Sequence, residues 1–257
     1  MTRGWNIIIT AERHQIILDI LTRHGVVDLQ SLVQRTKSSE STIRRDLALL
    51  EGQGILKRIH GGATLPSSKV AEPTMQEKSS KNLHDKQIIA KAAASMIRDG
   101  DCVYLDAGTT VSEMIPFVTN KKIIIVTNGL MHVDALTSAN IPTYLLGGRI
   151  KMNTKAIVGS VAQENLKQYR FDKCFLGMNG VDIKFGLTTP DPEEAILKKM
   201  AMELAEETFV LADNSKFSEI FFAKVAEIDQ VTIFTTNLAN EAAKEYLDQT
   251  SLKVVTT

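Results

Sequence analysis

The sequence predicts two units of different class. Residues 8–65 read as a small helical unit closed by a hairpin, 66–80 as a linker, and 81–257 as an α/β domain on a mainly parallel sheet. Three observations carry this. Before residue 54, apolar residues recur at helical spacing without strand alternation. Thr64-Leu65-Pro66-Ser67-Ser68-Lys69-Val70-Ala71-Glu72-Pro73 holds two prolines, two serines and little periodicity. From residue 86 onward, short and nearly continuous apolar runs alternate with amphipathic stretches, the pattern of parallel strands covered on both faces.

The first helix runs from about Ala11 to Arg23, with Ile16, Ile17, Ile20 and Leu21 on one face and Gly25 placed to end it. Val26-Val27 is a short extended step. Asp28 caps a second helix that buries Leu29, Leu32 and Val33. After the polar turn Thr36-Lys37-Ser38, Ser39 caps a third helix, Glu40 to Glu51, whose core face is Ile43, Leu47 and Leu50. At 100° per residue Ser41, Arg45 and Ala48 point the other way, flanked by Thr42 and Arg44, so this face reads as free of acid. Gly52 and Gly54 close the helix, and Ile55 to Gly62 reads as a hairpin carrying Lys57, Arg58 and His60.

Two helices, a polar turn, a third helix and a basic hairpin follow the order of a winged helix-turn-helix. Such a third helix enters a major groove, where Arg44 or Arg45 meets guanine O6/N7 or phosphate. Ser39, Ser41 and Thr42 donate at its N-terminus, while Lys57, Arg58 and His60 reach a neighbouring backbone or minor groove. The plainer alternative is a solvated basic face. The acid-free face and the basic hairpin together favour duplex DNA. The charge agrees: residues 1–66 carry nine Lys/Arg against six acids, although the 30 basic and 30 acidic side chains of the whole chain cancel.

In the second domain, helices are predicted at 86–98, 110–118, 129–137, 161–168, 192–207 and 240–247. Strands are predicted at 102–105, 123–126, 143–146, 173–176, 209–212, 231–234 and 253–255. Ligands of such sheets bind outside the carboxyl ends of the strands. Those ends read Asp106-Ala107-Gly108-Thr109-Thr110, Thr127-Asn128-Gly129, Gly147-Gly148-Arg149, Gly177-Met178-Asn179-Gly180-Val181-Asp182, Asp213-Asn214-Ser215-Lys216 and Thr235-Thr236-Asn237. Gly108-Thr109-Thr110, opening a helix, offers backbone N–H groups and hydroxyls to a phosphate. Gly147-Gly148 lets backbone approach a ligand, Lys216 and Arg149 supply positive charge, and Asp106, Asn128, Asn179 and Asp213 suit sugar hydroxyls. Any one of these turns needs Gly, Asn, Asp, Ser or Thr as cap or turn former anyway. The recurrence at six strand ends points to a small, phosphorylated, polyhydroxylated ligand.

Other chemistry is disfavoured. No Gly-x-Gly-x-x-Gly or Walker-type lysine loop occurs, so dinucleotides and nucleoside triphosphates are unexpected. Five scattered histidines and two cysteines, Cys102 and Cys174, offer no metal spacing, and no cofactor is implied. No run of 18 apolar residues exists, and the start has too short an apolar stretch for a signal peptide, so a cytoplasmic chain without a membrane partner is expected.

Glu12-Arg13, Ser39-Glu40-Ser41-Thr42-Ile43-Arg44-Arg45-Asp46-Leu47 and His60-Gly61-Gly62-Ala63 resemble the DeoR-type bacterial transcriptional regulators. The resemblance continues in order through Asp106-Ala-Gly-Thr-Thr, Thr127-Asn128, Gly147-Gly148, Gly186-Leu187-Thr188, Glu194-Ala195 and Asp213-Asn214-Ser215-Lys216-Phe217, covering residues 11–257. Residues 1–10 stand ahead of it as an extension, and Thr36-Lys37-Ser38 is more polar than the family's usual turn. The resemblance implies a DNA-binding repressor of a carbohydrate operon. Its C-terminal domain would be similar to sugar-phosphate isomerases and would bind a sugar phosphate, with Asp213, Ser215, Gly180 and Glu194 joining the site. The run Leu187 to Ala195 resembles that of fructose-operon repressors, which implies fructose 1-phosphate as effector. Paired half-sites imply a homo-oligomer. The alternative is an isomerase with a DNA-binding appendage, drawing its acids from Asp106, Asp182, Glu194 and Asp213. The turn Gly177 to Asp182 offers one acid where the related isomerases carry several, so no catalytic residue is assigned.

Overall fold

The computed structural model describes residues 10–24, 26–53, 55–59, 61–64, 74–236, 246 and 251–255. The chain falls into two compact units, Met1–Ser68 and Lys69–Thr257.

In the first unit, α1 (Thr10–His24) is followed by β1 (Val26–Asp28), α2 (Leu29–Thr36), α3 (Glu40–Gly52), β2 (Lys57–Ile59) and β3 (Gly62–Thr64). The apolar stripes of the three helices meet in one core of Ile17, Leu21, Leu32, Ile43, Leu47 and Leu50, while Val33 stays half-buried at its margin. Asp28 caps α2 through its bond from the Ser31 N–H (2.8 Å), and Ser39 caps α3 by accepting from the Thr42 N–H (3.2 Å). The hairpin begins and ends two residues later than the sequence suggests, from Lys57 to Thr64. The extended step at Val26 joins it, making an antiparallel sheet of order β1-β3-β2 with Val27 opposite Ala63. Only glycine fits at position 62, because a Cβ there would lie 2.1 Å from the Val27 carbonyl oxygen.

The second unit opens with α4 (Met75–Ser80), inside the stretch read as linker, and α5 (Leu83–Ala94). Thr74 and Glu77 close a reciprocal capping box on α4. Then come β4 (Cys102–Leu105), α6 (Thr109–Ser112), β5 (Ile124–Thr127), α7 (Val133–Ser138), β6 (Thr143–Leu145), β7 (Arg149–Ile150), β8 (Ile157–Val158), α8 (Ser160–Leu166) and β9 (Phe171–Gly177). The rest is β10 (Gly180–Asp182), β11 (Gly186–Thr189), α9 (Pro192–Glu203), β12 (Ala205–Leu211), β13 (Ala223–Ala226), β14 (Thr232–Thr236) and β15 (Ser251–Val255). The predicted helix at 240–247 lies outside the described residues apart from Tyr246.

Seven strands form one parallel sheet in the order β15-β14-β12-β9-β4-β5-β6. Alternate residues along each strand enter different cores. Tyr104, Cys174, Leu176, Val210 and Ile233 face one side; Val103, Leu105, Phe175, Phe209 and Phe234 face the other. Three corrections to the predicted elements follow from local chemistry. The helix at 110–118 is broken into α6 and a 3-10 turn, Ile115–Phe117, where Pro116 carries no N–H. The helix at 192–207 ends at Glu203, and β12 begins four residues before the predicted strand because it pairs with β9 from Phe171 onward. A second, antiparallel sheet of order β10-β11-β13 accompanies the parallel one.

Candidate functional site

The third helix of the first unit presents Ser41, Arg44 and Arg45 to solvent. Ser39, at its cap, places its hydroxyl 3.0 Å from that of Ser41 and 2.8 Å from that of Thr42, so three hydroxyls cluster at the start of α3. The face is not free of acid. Glu40 lies one turn before Arg44 and accepts from its guanidinium at 2.6 and 3.0 Å. In the wing, the Arg58 guanidinium and backbone N–H both donate to Glu51 at the end of α3 (2.6 and 2.8 Å), tying the wing to the helix. Arg45 makes no ion pair among the described residues, Lys57 is exposed, and His60 lies outside them.

A buried pair sets the pose of α3, and the sequence reading missed it. Asp46 turns inward to α1, accepting from Arg13 Nε at 2.7 Å and its terminal nitrogen at 3.0 Å, with His14 Nε2 at 3.1 Å. Burial pushes the Asp46 carboxyl up, but the bonds from Arg13 and His14 outweigh it and hold the group below its ordinary value. The signal was available: Asp46 adjoins Leu47 on the core side of α3, while Arg44 and Arg45 do not.

In the second unit, the strand order reverses between β4 and β9, so their carboxyl ends form a topological switch point, the place where sheets of this kind bind ligands in a crevice. The loops from the two strands touch. A Cβ on Gly108 would sit 3.2 Å from Gly177 Cα, and the Gly177 N–H donates to Asp106 Oδ2 at 3.1 Å. Lys198 of α9 reaches the same oxygen at 2.5 Å and the Gly177 carbonyl at 3.0 Å. Both Asp106 and Lys198 are almost wholly buried. One turn earlier on α9, the buried Glu194 accepts from Lys151 Nζ (2.7 Å) and Thr154 Oγ1 (3.1 Å), while Lys151 also pairs with Asp191 at 2.7 Å. Arg149 pairs with Glu193. Helix α9 thus bolts the β7–β8 segment to the switch-point loop.

A second charged group borders this crevice. Asp213, after β12, accepts from Ser215 N–H (3.0 Å), Ser215 Oγ (2.5 Å) and Asn82 Nδ2 (2.9 Å). Burial raises its carboxyl, but Lys216 and these bonds prevail and hold it low. Burial pushes the Lys216 ammonium down; Asp213 opposes that, and Lys78 and Lys81 reinforce it. Lys86 is buried on the inner face of α5, donates to the Lys78 carbonyl, and is also pushed down by burial, with Asp213 opposing and Lys216 reinforcing. Two buried lysines, Lys86 and Lys198, were missed by the sequence reading. Each sits within an apolar stripe, Lys86 with Ile89, Ala90 and Ala93, and Lys198 with Ala195 and Ala201. A charge at such a position was the available signal.

The remaining expected effector residues divide. Thr109 is half-buried and Thr110 buried at the head of α6, and Asn179 Oδ1 accepts from Thr189 Oγ1 at 3.0 Å. Thr127 and Asn128 make hydrogen bonds within the frame. Thr127, wholly buried, donates to the Leu105 carbonyl (2.6 Å) and lies 3.0 Å from His132 Nδ1; Asn128 braces the Ala107 N–H (3.0 Å) and the Ile157 carbonyl. Burial holds the His132 ring neutral, lowering its pKa to about 4 despite nearby Asp106. Gly147 donates to Asn165 Oδ1 (3.0 Å), and backbone presses on Gly148 and Gly180, where a Cβ would lie 2.8 Å from the Val158 carbonyl and 2.3 Å from the Glu219 carbonyl. Among the described residues, no group of histidine, cysteine and acid side chains is placed to hold a metal, and no helix is long and apolar enough to cross a membrane.

Comparison with known proteins agrees with both units. Residues 13–69 match the DeoR-like helix-turn-helix domain, and residues 81–238 match the DeoR C terminal sensor domain. The chain is 53% identical over 249 residues to a protein of Bacillus subtilis (strain 168), the uncharacterized HTH-type transcriptional regulator FruR, covering 96% of this chain and 99% of that one. It is 34% identical over 242 residues to the lactose phosphotransferase system repressor of Staphylococcus epidermidis (strain ATCC 12228 / FDA PCI 1200), covering 92% of this chain and 96% of that one. Among solved structures, ribose 5-phosphate isomerase A of Methanocaldococcus jannaschii matches 53% of this chain and 55% of its own at 20% identity, with a TM-score of 0.41. The relatives are regulators, and both halves of the architecture match the family models, so the chain belongs to the DeoR family of DNA-binding transcriptional regulators.

Proposed function

We propose that this regulator represses a carbohydrate-utilisation operon and is released from its operator by a phosphorylated sugar bound at the switch-point crevice. The observation that carries the reading is the gathering of Lys86 and Lys216 around Asp213, beside the α6 that Thr109 and Thr110 open. Cationic groups held out of water at a strand-end crevice suit a phosphate dianion. Asp106, Asn179, Glu194 and Arg149 then face the sugar, and Gly108 lets its loop close against Gly177. Thr127, Asn128, Gly147, Gly148 and Gly180 act as frame. Ser39, Ser41, Thr42, Arg44, Arg45, Lys57 and Arg58 contact the operator, with Arg45 as the base reader because Arg44 and Arg58 already hold acids.

Fructose 1-phosphate is the proposed effector. The run Leu187 to Ala195 forms β11 and the start of α9, and thereby sets Thr189 against Asn179 and Glu194 against Lys151 at the rim. The name of the 53% identical relative, FruR, agrees with an effector derived from fructose. The protein would act in the cytoplasm as a homo-oligomer, since paired half-sites demand paired readers. The test is a mobility shift on the chain's own upstream DNA at moderate salt, with fructose 1-phosphate, other ketose and aldose phosphates, or inorganic phosphate added. A specific shift abolished by fructose 1-phosphate alone is expected. A shift that no sugar phosphate alters rejects the effector reading, and no shift at all rejects the operator reading.

A further inference from the structure

Helix α4 is the first described element of the second unit. It buries none of its side chains. Apolar packing therefore does little to fix it, and its place depends on polar fastenings. There are three at or next to its ends. The Met75 N–H donates to the Asn153 carbonyl at 2.9 Å. The Lys78 carbonyl accepts from Lys86 Nζ. Asn82, held at φ 53° just after the helix, donates to Asp213 Oδ1 at 2.9 Å.

Every one of those partners belongs to the rim of the effector crevice. Asn153 lies between Lys151 and Thr154, the two residues that hold Glu194. Lys86 and Asp213 form the charged group around Lys216. Helix α4 also packs on α6. Four ammonium groups, those of Lys78, Lys81, Lys86 and Lys216, thus share a neighbourhood with the acids Asp213, Glu113 and Glu219. Asp213, Glu113 and Glu219 offset the mutual repulsion of these ammonium groups, and a bound phosphate would add to that offset and favour the fastened helix. A segment with so little buried surface opens at low cost, so a modest change of charge shifts its population.

Resting on the proposed phosphosugar reading, we propose that α4 is a strap that completes the effector site, with Lys78 and Lys81 meeting the phosphate. Its tightening on the rim is then how occupancy is delivered to the DNA-binding unit. The strap supplies what a coupling mechanism requires, a single element whose state the ligand biases and from which the chain leads to the DNA reader.

Two measurements on the full-length protein test this. The first is amide hydrogen exchange over residues 75–82 with and without saturating fructose 1-phosphate. Exchange slowed at least fivefold is expected; unchanged or faster exchange overturns the strap even if the sugar binds and releases DNA. The second is the ratio of operator affinities without and with the sugar. Met75→Pro removes the N–H to Asn153 together with the half-buried Met75 side chain, and keeps the helix start, since proline is tolerated at the first helical position and Thr74 is already extended (ψ 160°). Asn82→Gly removes the bond to Asp213 and keeps the left-handed backbone. In the double variant the ratio is expected to fall at least fivefold while sugar-free operator affinity stays within twofold. A ratio equal to the parent's, in the double variant or in Met75→Pro alone, overturns the proposal. If the unaltered protein itself binds none of the sugar phosphates by calorimetry, the failure belongs to the proposed function.

Discussion

Arg44, Arg45 and Asp46 are consecutive, yet they do three different things, and each has a test. Arg45 is unpaired among the described residues, so Arg45→Ala should weaken operator binding by about 1–3 kcal/mol and relax specificity at one base pair. Arg44→Ala should cost less, because its guanidinium already spends two bonds on Glu40. Comparative mobility shifts on operator variants decide between them. Asp46→Asn should leave Arg13 without its buried counter-charge and destabilise the first unit by about 3 kcal/mol, read by denaturant unfolding. Because the Asp46 carboxyl is held below its ordinary value of 3.8, the unfolded chain binds its proton first on acidification. The stabilisation is therefore complete above that value and lost as pH falls through the lowered one. His132 acts at higher pH in the second unit. Its ring titrates near 6.5 when unfolded and about 4 when folded, so stability should decline between those values on acidification, by up to about 3 kcal/mol. His132→Gln should flatten that decline in pH-dependent melts. At this scale the sequence reading captured caps and exposed cations. It missed Asp46, Lys86 and Lys198, because a charged residue within an apolar stripe reads as a break in pattern until its partner on a distant element is known.

Among the elements, the helices of the first unit and the strands of the parallel sheet were legible from periodicity, with ends shifted by a few residues. The wing's third strand was not, since Val26-Val27 alone carries no alternation and the partner of Val27 lies 36 residues on at Ala63. The antiparallel β10-β11-β13 sheet was hidden for a related reason. Its strands are three or four residues long, too short to show alternation, and β10 lies within the stretch read as a strand-end turn. The strand ends mark where a ligand is expected, but a glycine or threonine there does not declare whether it meets ligand or frame. Thr127, whose hydroxyl bonds the Leu105 carbonyl, shows the difference. Gly62→Ala tests the wing as an element: the added methyl would collide with Val27, so β1 and β3 should separate and operator affinity fall at least tenfold, while sugar-phosphate binding by calorimetry stays unchanged.

For the molecule as a whole, two compact units predict two separable unfolding steps in calorimetry. A sugar phosphate at about 100 times its dissociation constant should stabilise only the step belonging to the second unit, by about 2.7 kcal/mol. Lys216→Ala should remove most of that gain and raise the effector concentration needed for DNA release, leaving sugar-free operator affinity intact. An unaltered dose response would assign Lys216 to the frame. The parallel sheet itself has one more consequence. It acts as a wall between the Tyr104 side and the Val103 side, and each strand sends alternate side chains to opposite rooms. Cavities cut at Leu187 on one side and Ile125 on the other should therefore sum in their cost, and a ligand-induced repacking confined to one room would leave the other as an internal reference.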